Sequence, residues 1–199
     1  MKEHALTEEE SNYLADAQFL LTKRRVVEKN TSLLYQLESP IGKWLGKLPA
    51  ALQEFSSQSR EGKVSIGENY QGLPYQIYDY PRNFGPKSTF ALRTMIWWGN
   101  HLSCTLQLAG EALQQLEPNV WDRIAQLADC YIGVNDDPWE HHFGEDNYRR
   151  IGELDTEEYA TLKSRGFLKI STKWPLELRA ELPSLVAEFC ESLRQLWAD

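Results

Sequence analysis

The 199-residue sequence has few cysteines, prolines and glycines and no long apolar run. Its three cysteines, Cys104, Cys130 and Cys190, are an odd and widely spaced set without a CxxC pair. This spacing predicts buried thiols in a reducing compartment and no zinc site among them. No stretch approaches the roughly 18 to 20 apolar residues that span a bilayer, and the first ten residues are too acidic for a signal peptide. We therefore expect a cytoplasmic protein with no membrane partner.

Basic residues are also fewer than acidic residues, and the difference arises in one segment of the chain. The chain has 21 Lys and Arg against 29 Asp and Glu, which gives a formal charge of -8. Residues 129–158 contain ten acidic and two basic side chains, so this segment alone accounts for the whole net charge. Nonspecific contact with phosphates needs the opposite sign, and the charge therefore argues against a nucleic-acid partner.

Aromatic residues are plentiful, with seven Trp, nine Tyr and seven Phe, and they indicate a folded chain with a buried core. Residues 1–58 show helical periodicity behind a capping box at Thr7 and Glu10, which predicts a long first helix ending by Pro40 and a second helix after it. The period changes to two over residues 62–109, which predicts an antiparallel sheet.

Residues 111–199 are predicted to be mostly helical, with a second capping box at Asp155 and Glu158 and a short strand near 167–172. The whole chain, residues 1–199, is therefore predicted to be a single α+β domain. Its antiparallel sheet would have about four to five strands, with the N-terminal and C-terminal helices packed on one face.

The strongest local signal is a pair of apolar runs, 88–98 and 101–109, separated by Gly99-Asn100. This dipeptide suits a two-residue hairpin turn, which would place Trp98 opposite His101. In that register the core face holds Ala91, Met95, Trp97, Leu102, Cys104, Leu106 and Leu108, with Arg93 as its only misfit. The other face would hold Phe90, Leu92, Thr94, Ile96, Trp98, His101, Ser103, Thr105 and Gln107.

This second face is the first candidate site. Aromatic rings with a few hydroxyls and an imidazole are typical of small-molecule sites. The predicted ligand-binding residues are Thr94, Trp98, His101, Ser103 and Thr105. The alternative is a sheet face that solvent or a helix covers, where Thr and Ser are common.

The second candidate is the segment from Asn135 to Asp146, which contains two histidines and five carboxylates. Imidazole and carboxylate are ligands of zinc and non-haem iron, and the candidate metal ligands are Asp137, His141, His142 and Glu145. The alternative is a short helix with Asp137 as N-cap and Gly144 at its end, on which adjacent histidines point about 100° apart. Apart from this candidate divalent metal, no cofactor is predicted.

The third candidate is an acidic surface formed by Asp136, Asp137, Glu140, Glu145 and Asp146. No catalytic motif is present, and concentrated charge can steer a partner of opposite sign. We therefore predict a binding or interaction protein rather than an enzyme, with a basic protein partner or a small molecule. The alternatives are a metal-dependent hydrolase centred on His141 and His142 and a small-molecule binding protein with a pocket around Trp98 and His101. The sequence also allows assembly into a homo-oligomer.

Overall fold

The computed structural model describes residues 4–57, 61–116 and 119–197. Four helices precede the sheet: α1 (Glu8–Ala15), α2 (Ala17–Tyr35), α3 (Glu38–Leu45) and α4 (Ala50–Ser57). The capping box at Thr7 and Glu10 is confirmed. The prediction of one long first helix is wrong, because Asp16 is extended and its side chain accepts a hydrogen bond from the Phe19 amide at 3.0 Å. That bond starts a new helix at α2.

Seven strands form one antiparallel sheet in the order β1-β2-β3-β4-β7-β5-β6. They are β1 (Lys63–Tyr70), β2 (Leu73–Phe84), β3 (Ser88–Trp97), β4 (His101–Gly110), β5 (Tyr131–Gly133), β6 (Tyr148–Arg150) and β7 (Phe167–Pro175). The α+β class with an antiparallel sheet is confirmed, whereas the count of four to five strands is wrong. Strands β5 and β6 have three residues each, too few to show a period of two.

The central hairpin is one residue out of its predicted register. Its loop has three residues, 98–100, and Met95 lies opposite Ser103 instead of Cys104. The Asn100 amide donates to the Trp97 carbonyl at 3.1 Å, and Gly99 has a φ of +68°, which glycine adopts without a Cβ clash. A slip of one residue pairs each face of β4 with the opposite face of β3. The predicted composition of both sheet faces is therefore wrong.

One face of the sheet packs against the helices and forms the main core. From the central hairpin it contributes Phe90, Leu92, Ile96, Leu102, Cys104, Leu106 and Leu108, which are buried together with residues of α2 to α4 and of α8 (Leu182–Ser192). The remaining helices are α5 (Glu111–Gln114), α6 (Asn119–Arg123) and α7 (Thr156–Lys163), and the capping box of α7 at Asp155 and Glu158 is confirmed. All three cysteines have free thiols. Within the described ranges, no helix combines the length and the apolar composition needed to cross a membrane.

Candidate interaction site on the second sheet face

The second face of the sheet, turned away from the helices, is rich in polar and charged side chains. Alternate residues of β2, β3, β4 and β7 point to it, as the strand register shows. Its buried polar members are Asp79, His101, Ser103, Thr105, Gln107, Lys169 and Ser171. The β5–β6 loop, residues 134–147, contacts this face through its histidines and Phe143. Buried polar groups need partners, and for Lys169 the loop supplies one, the Glu140 carbonyl.

The predicted ligand-binding residues are not brought together. His101, Ser103 and Thr105 lie on the second face, where the Thr105 and Ser171 hydroxyls are 2.7 Å apart. Thr94 lies on the helix-facing side and its hydroxyl is 3.5 Å from the Cys104 sulfur. Trp98 belongs to the hairpin loop. The register shift separates the five residues, and the ring of Phe143 lies edge-on to His101 with centroids 5.0 Å apart.

The β5–β6 loop is not the short capped helix that its sequence allows. The Asp137 carboxylate accepts from the Trp139 amide at 2.8 Å, two residues on, which is the pattern of a turn. The amides of His141 and His142 donate to the Tyr70 hydroxyl at 2.8 and 2.9 Å. These tertiary bonds replace the i to i−4 bonds of a helix, so the loop has turns and irregular backbone where helix-end residues predicted a turn of helix.

Tyr70, at the end of β1, is the main anchor of the loop. Its hydroxyl accepts the two histidine amides and donates to the Glu140 carboxylate at 2.8 Å. Its ring lies 5.0 Å from that of Trp97 in an edge-on arrangement. Burial raises the pKa of Tyr70 to about 12, so the hydroxyl keeps its proton and the donor role toward Glu140.

A second anchor joins β2, β3 and the loop. The Arg93 guanidinium donates to both Asp79 oxygens, at 2.7 and 3.0 Å, and its Nη1 lies 3.0 Å from His141 Nε2. A guanidinium can only donate, so His141 Nε2 is the acceptor and the imidazole is neutral. Burial, together with the nearby Arg93 and Lys169 cations, lowers the pKa of His141 to about 3. The same residue that broke the predicted apolar pattern of β3 thus holds the loop.

Lys169 of β7 is the third anchor. Its side chain is 2% exposed, and its ammonium donates to the Glu140 carbonyl at 2.6 Å. The ammonium also lies 5.0 Å from the centre of the Tyr148 ring, where the π electrons favour a cation. Burial and the Arg93 charge lower the pKa of Lys169 to about 8.

Phe143 closes the loop over the sheet. Its ring stacks on Tyr148 with centroids 4.6 Å apart, and Tyr131 and His101 meet it edge-on at 5.0 Å each. Lys173 places its ammonium 5.1 Å from the same ring. Burial and the Lys173 charge lower the pKa of His101 to about 4. The loop is therefore fixed by apolar as well as polar contacts.

The predicted metal ligands do not converge. Among the described residues, no group of three or more His, Cys, Asp or Glu side chains could hold a metal ion. His142 Nδ1 accepts from the Gly144 amide at 3.2 Å and its Nε2 is 3.7 Å from Glu140, while His141 Nε2 faces Arg93. Both imidazoles thus contact protein groups within or beneath the loop.

The outer surface of the loop is acidic around one exposed aromatic ring. Trp139 is 48% exposed, and its ring lies 5.5 Å from that of Phe84 and 5.6 Å from the Arg93 guanidinium. The exposed carboxylates of the loop are Asp136, Asp137, Glu145 and Asp146. Asp136 is 94% exposed although it contacts Arg165 at 3.2 Å. Glu140, the fifth predicted acidic residue, is half-buried and bonds Tyr70 instead.

No family model, curated protein or solved structure matches this chain.

Three residues of the site lie in no catalytic or metal-binding motif of the sequence. Tyr70, Asp79 and Lys169 act through contacts between separate segments of the chain. Arg93 was visible only as the misfit in a predicted apolar face. In the structure it bonds Asp79 and lies 3.0 Å from His141 of the loop.

Proposed function

We propose that this chain is a non-enzymatic interaction protein that binds a basic protein partner through the outer surface of the β5–β6 loop. The observation that supports the proposal is Trp139, which is half-exposed on a loop whose backbone is fixed from below. Tryptophan is enriched among residues that contribute most to protein interfaces. Here it would act as the apolar centre of the contact.

The fixed backbone favours binding because little conformational freedom is left to lose. Tyr70, Arg93 and Lys169 hold the loop from three different strands. Ordering interface loops is a large part of the cost of association, and a loop that is already ordered avoids most of that cost. The anchors thus serve binding without touching the partner.

The carboxylates around Trp139 select the charge of the partner. Asp136, Asp137, Glu145 and Asp146 are exposed, and Lys or Arg side chains on a partner would pair with them at the rim. Rim charges mainly raise the association rate and lower the affinity for partners of the wrong sign, and salt screens them. A complex formed in this way is expected to weaken as ionic strength rises.

The test is affinity capture from a cell lysate at low and moderate salt, followed by calorimetry with the captured protein after its purification. The loop variants are Trp139→Ala and the charge reversal Glu145→Lys with Asp146→Lys, which leaves the Asp137 bond to the Trp139 amide in place. The matched control is Asp129→Lys with Glu153→Lys, which makes the same charge change in the 129–158 segment but outside the loop.

We expect the wild type and the control to capture the same basic protein in a salt-sensitive way. Trp139→Ala should weaken binding by about 2 kcal/mol or more, which is roughly 30-fold. The loop charge reversal should slow association. Equal capture by wild type and both loop variants, or a complex indifferent to salt, would refute the proposal.

A further inference from the structure

The first part of the chain carries a large apolar surface that the domain does not cover. We define the arm as residues 4–26, which include α1 and the first half of α2. No residue of α1 is buried, and the buried residues of α2 start at Asn30. The exposed large apolar residues of the arm are Leu6, Tyr13, Leu14, Phe19, Leu20, Leu21 and Val26.

These seven residues are between 38% and 66% exposed. At roughly 200 Å² for a fully exposed large side chain, they present roughly 700 Å². One partner of a stable protein interface contributes about 800 Å², whereas monomers rarely expose contiguous apolar patches above a few hundred Å². Summed over both helices, the exposed apolar area is close to the area that one partner of a stable interface contributes.

The arm also has a groove that a helix could enter. Phe19, Leu20 and Val26 form one wall, and Pro74 of β2 and Trp98 of the hairpin loop form the other, around a volume of ≈ 380 Å³. An eight-residue helix, about 12 Å long and about 10 Å wide, is larger than this volume, but apolar side chains from α1 of a second copy can enter it. Within its own chain the aromatic contact of α1 is that of Tyr13 with Phe19, at 5.4 Å. A helix of eight residues is marginal in water without such packing.

The charges of the arm are complementary to each other. α1 begins with Glu8, Glu9 and Glu10, and α2 carries the basic run 23–25, in which Lys23 contacts Glu68 at 2.5 Å and Arg24 contacts Glu28 at 3.0 Å at solvent-accessible positions of the same chain. A hollow beside α1 is lined by Thr7, Glu8, Glu9, Asn12, Tyr13 and Asp16. When two arms lie antiparallel about a two-fold axis, the acidic end of each meets the basic run of the other.

We propose that the arm binds the arm of a second copy of this chain, with α1 of each copy packed against α2 and the groove of the other. A two-fold pairing covers the apolar residues of both arms and brings opposite charges together in two equivalent places. The interface is independent of the β5–β6 loop and of whatever binds there.

Charge exchange tests this arrangement in the full chain by sedimentation equilibrium over a wide concentration range. The wild-type arm has four acidic and three basic side chains, a net charge of -1. Variant A carries Glu8→Lys and Glu9→Lys, which makes the net charge of its arm +3; variant B carries Arg24→Glu and Arg25→Glu, which makes it -5. We expect the wild type to dimerise, each variant alone to be a monomer through repulsion, and an equal mixture of A and B to form a one-to-one dimer. Restored assembly in the mixture is a result that simple misfolding cannot produce.

Substitutions of exposed apolar residues by glutamate give a second test. Leu14→Glu and Leu20→Glu should each abolish the dimer with no change in the circular dichroism of the folded domain, because neither residue is buried. The control is Phe84→Glu, since Phe84 is 39% exposed at the end of β2, beside Trp139 and away from the arm, and its variant should still dimerise.

Three results would overturn the proposal. The wild type could keep the mass of one chain, 23.0 kDa, at every concentration. A dimer could persist in both Leu14→Glu and Leu20→Glu. Alternatively, the arm could bind vesicles of anionic phospholipid while the protein stays monomeric, which would make a membrane surface its occupant.

Discussion

Replacing Tyr70 by Phe removes one oxygen atom and leaves the ring in place. The lost hydroxyl accepts the amides of His141 and His142 and donates to Glu140, at distances between 2.8 and 2.9 Å. A hydrogen bond contributes a net of about 0.5 to 1.5 kcal/mol to stability, and a buried donor left without a partner costs about 1 to 3 kcal/mol. Because Tyr70 is half-buried and water can reach part of the site, we expect a total loss of about 2 kcal/mol.

The loss should appear at the loop before it appears in the sheet. Urea denaturation gives the global change, and amide hydrogen exchange of peptides from residues 134–147 gives the local one. A loss of about 2 kcal/mol corresponds to exchange roughly 30-fold faster at His141 and His142. Affinity for the captured partner should fall as well, since the loop would have to be ordered on binding.

The control is Tyr75→Phe, a neighbour whose ring centroid is 6.1 Å from that of Tyr70. Its hydroxyl makes no hydrogen bond to the residues that the structure describes, so its removal should change stability by less than about 0.5 kcal/mol. If Tyr70→Phe behaves like Tyr75→Phe, with unchanged exchange in the loop, then the hydroxyl does not hold the loop and the rigidity argument fails.

Two further perturbations examine the interior. The pKa values of His141 and His101 are lowered to about 3 and about 4 from 6.5, so below about pH 6.5 the unfolded chain binds protons that the folded chain refuses. Denaturation curves should therefore show stability falling by about 1 to 2 kcal/mol per histidine from about pH 7 to pH 5, with a shallower fall in His141→Gln; a flat profile would contradict the neutral assignment. Phe189→Ala, in α8, should cost about 3 to 5 kcal/mol because its side chain is 4% exposed, while Glu188→Ala should cost little; a cost below about 1 kcal/mol would show that this part of α8 is not core.

Local patterns in the sequence predicted much of the fold. Both capping boxes and the two central strands are where the pattern placed them, because each depends on residues close together in the chain. The predicted hairpin register was wrong by one residue, because Trp98 joins Gly99 and Asn100 in the loop. An apolar side chain such as that of Trp98 is typical of a strand, so the sequence does not indicate a loop position. Strand β5 depends on pairing with distant β7, strand β6 pairs with β5, and both had too few residues to be recognised.

The site was less predictable for the same reason. The residues around Asp137 have the chemistry of a helix start, but the hydroxyl of Tyr70, 71 residues from His141 in sequence, takes the loop amides instead. A tertiary contact thus overrides the local preference. The acidic character of the loop follows from composition, whereas its rigidity and the exposure of Trp139 follow from contacts that only the fold supplies.

The β5–β6 loop starts and ends at one edge of the sheet and is fixed at the other. Its ends continue β5 and β6, which close the strand order on one side, while Tyr70 belongs to β1, the edge strand on the opposite side. At about 4.8 Å per strand, it bridges roughly 24 Å across the strands between. The loop therefore links the two edge strands of the sheet. Separation of β1 from the sheet at Tyr70 would break the hydrogen bonds between Tyr70 and the loop. A partner that binds only the ordered loop would stabilise β1 and β6 together. Binding at this one surface would therefore raise the free energy needed to separate either edge strand from the sheet.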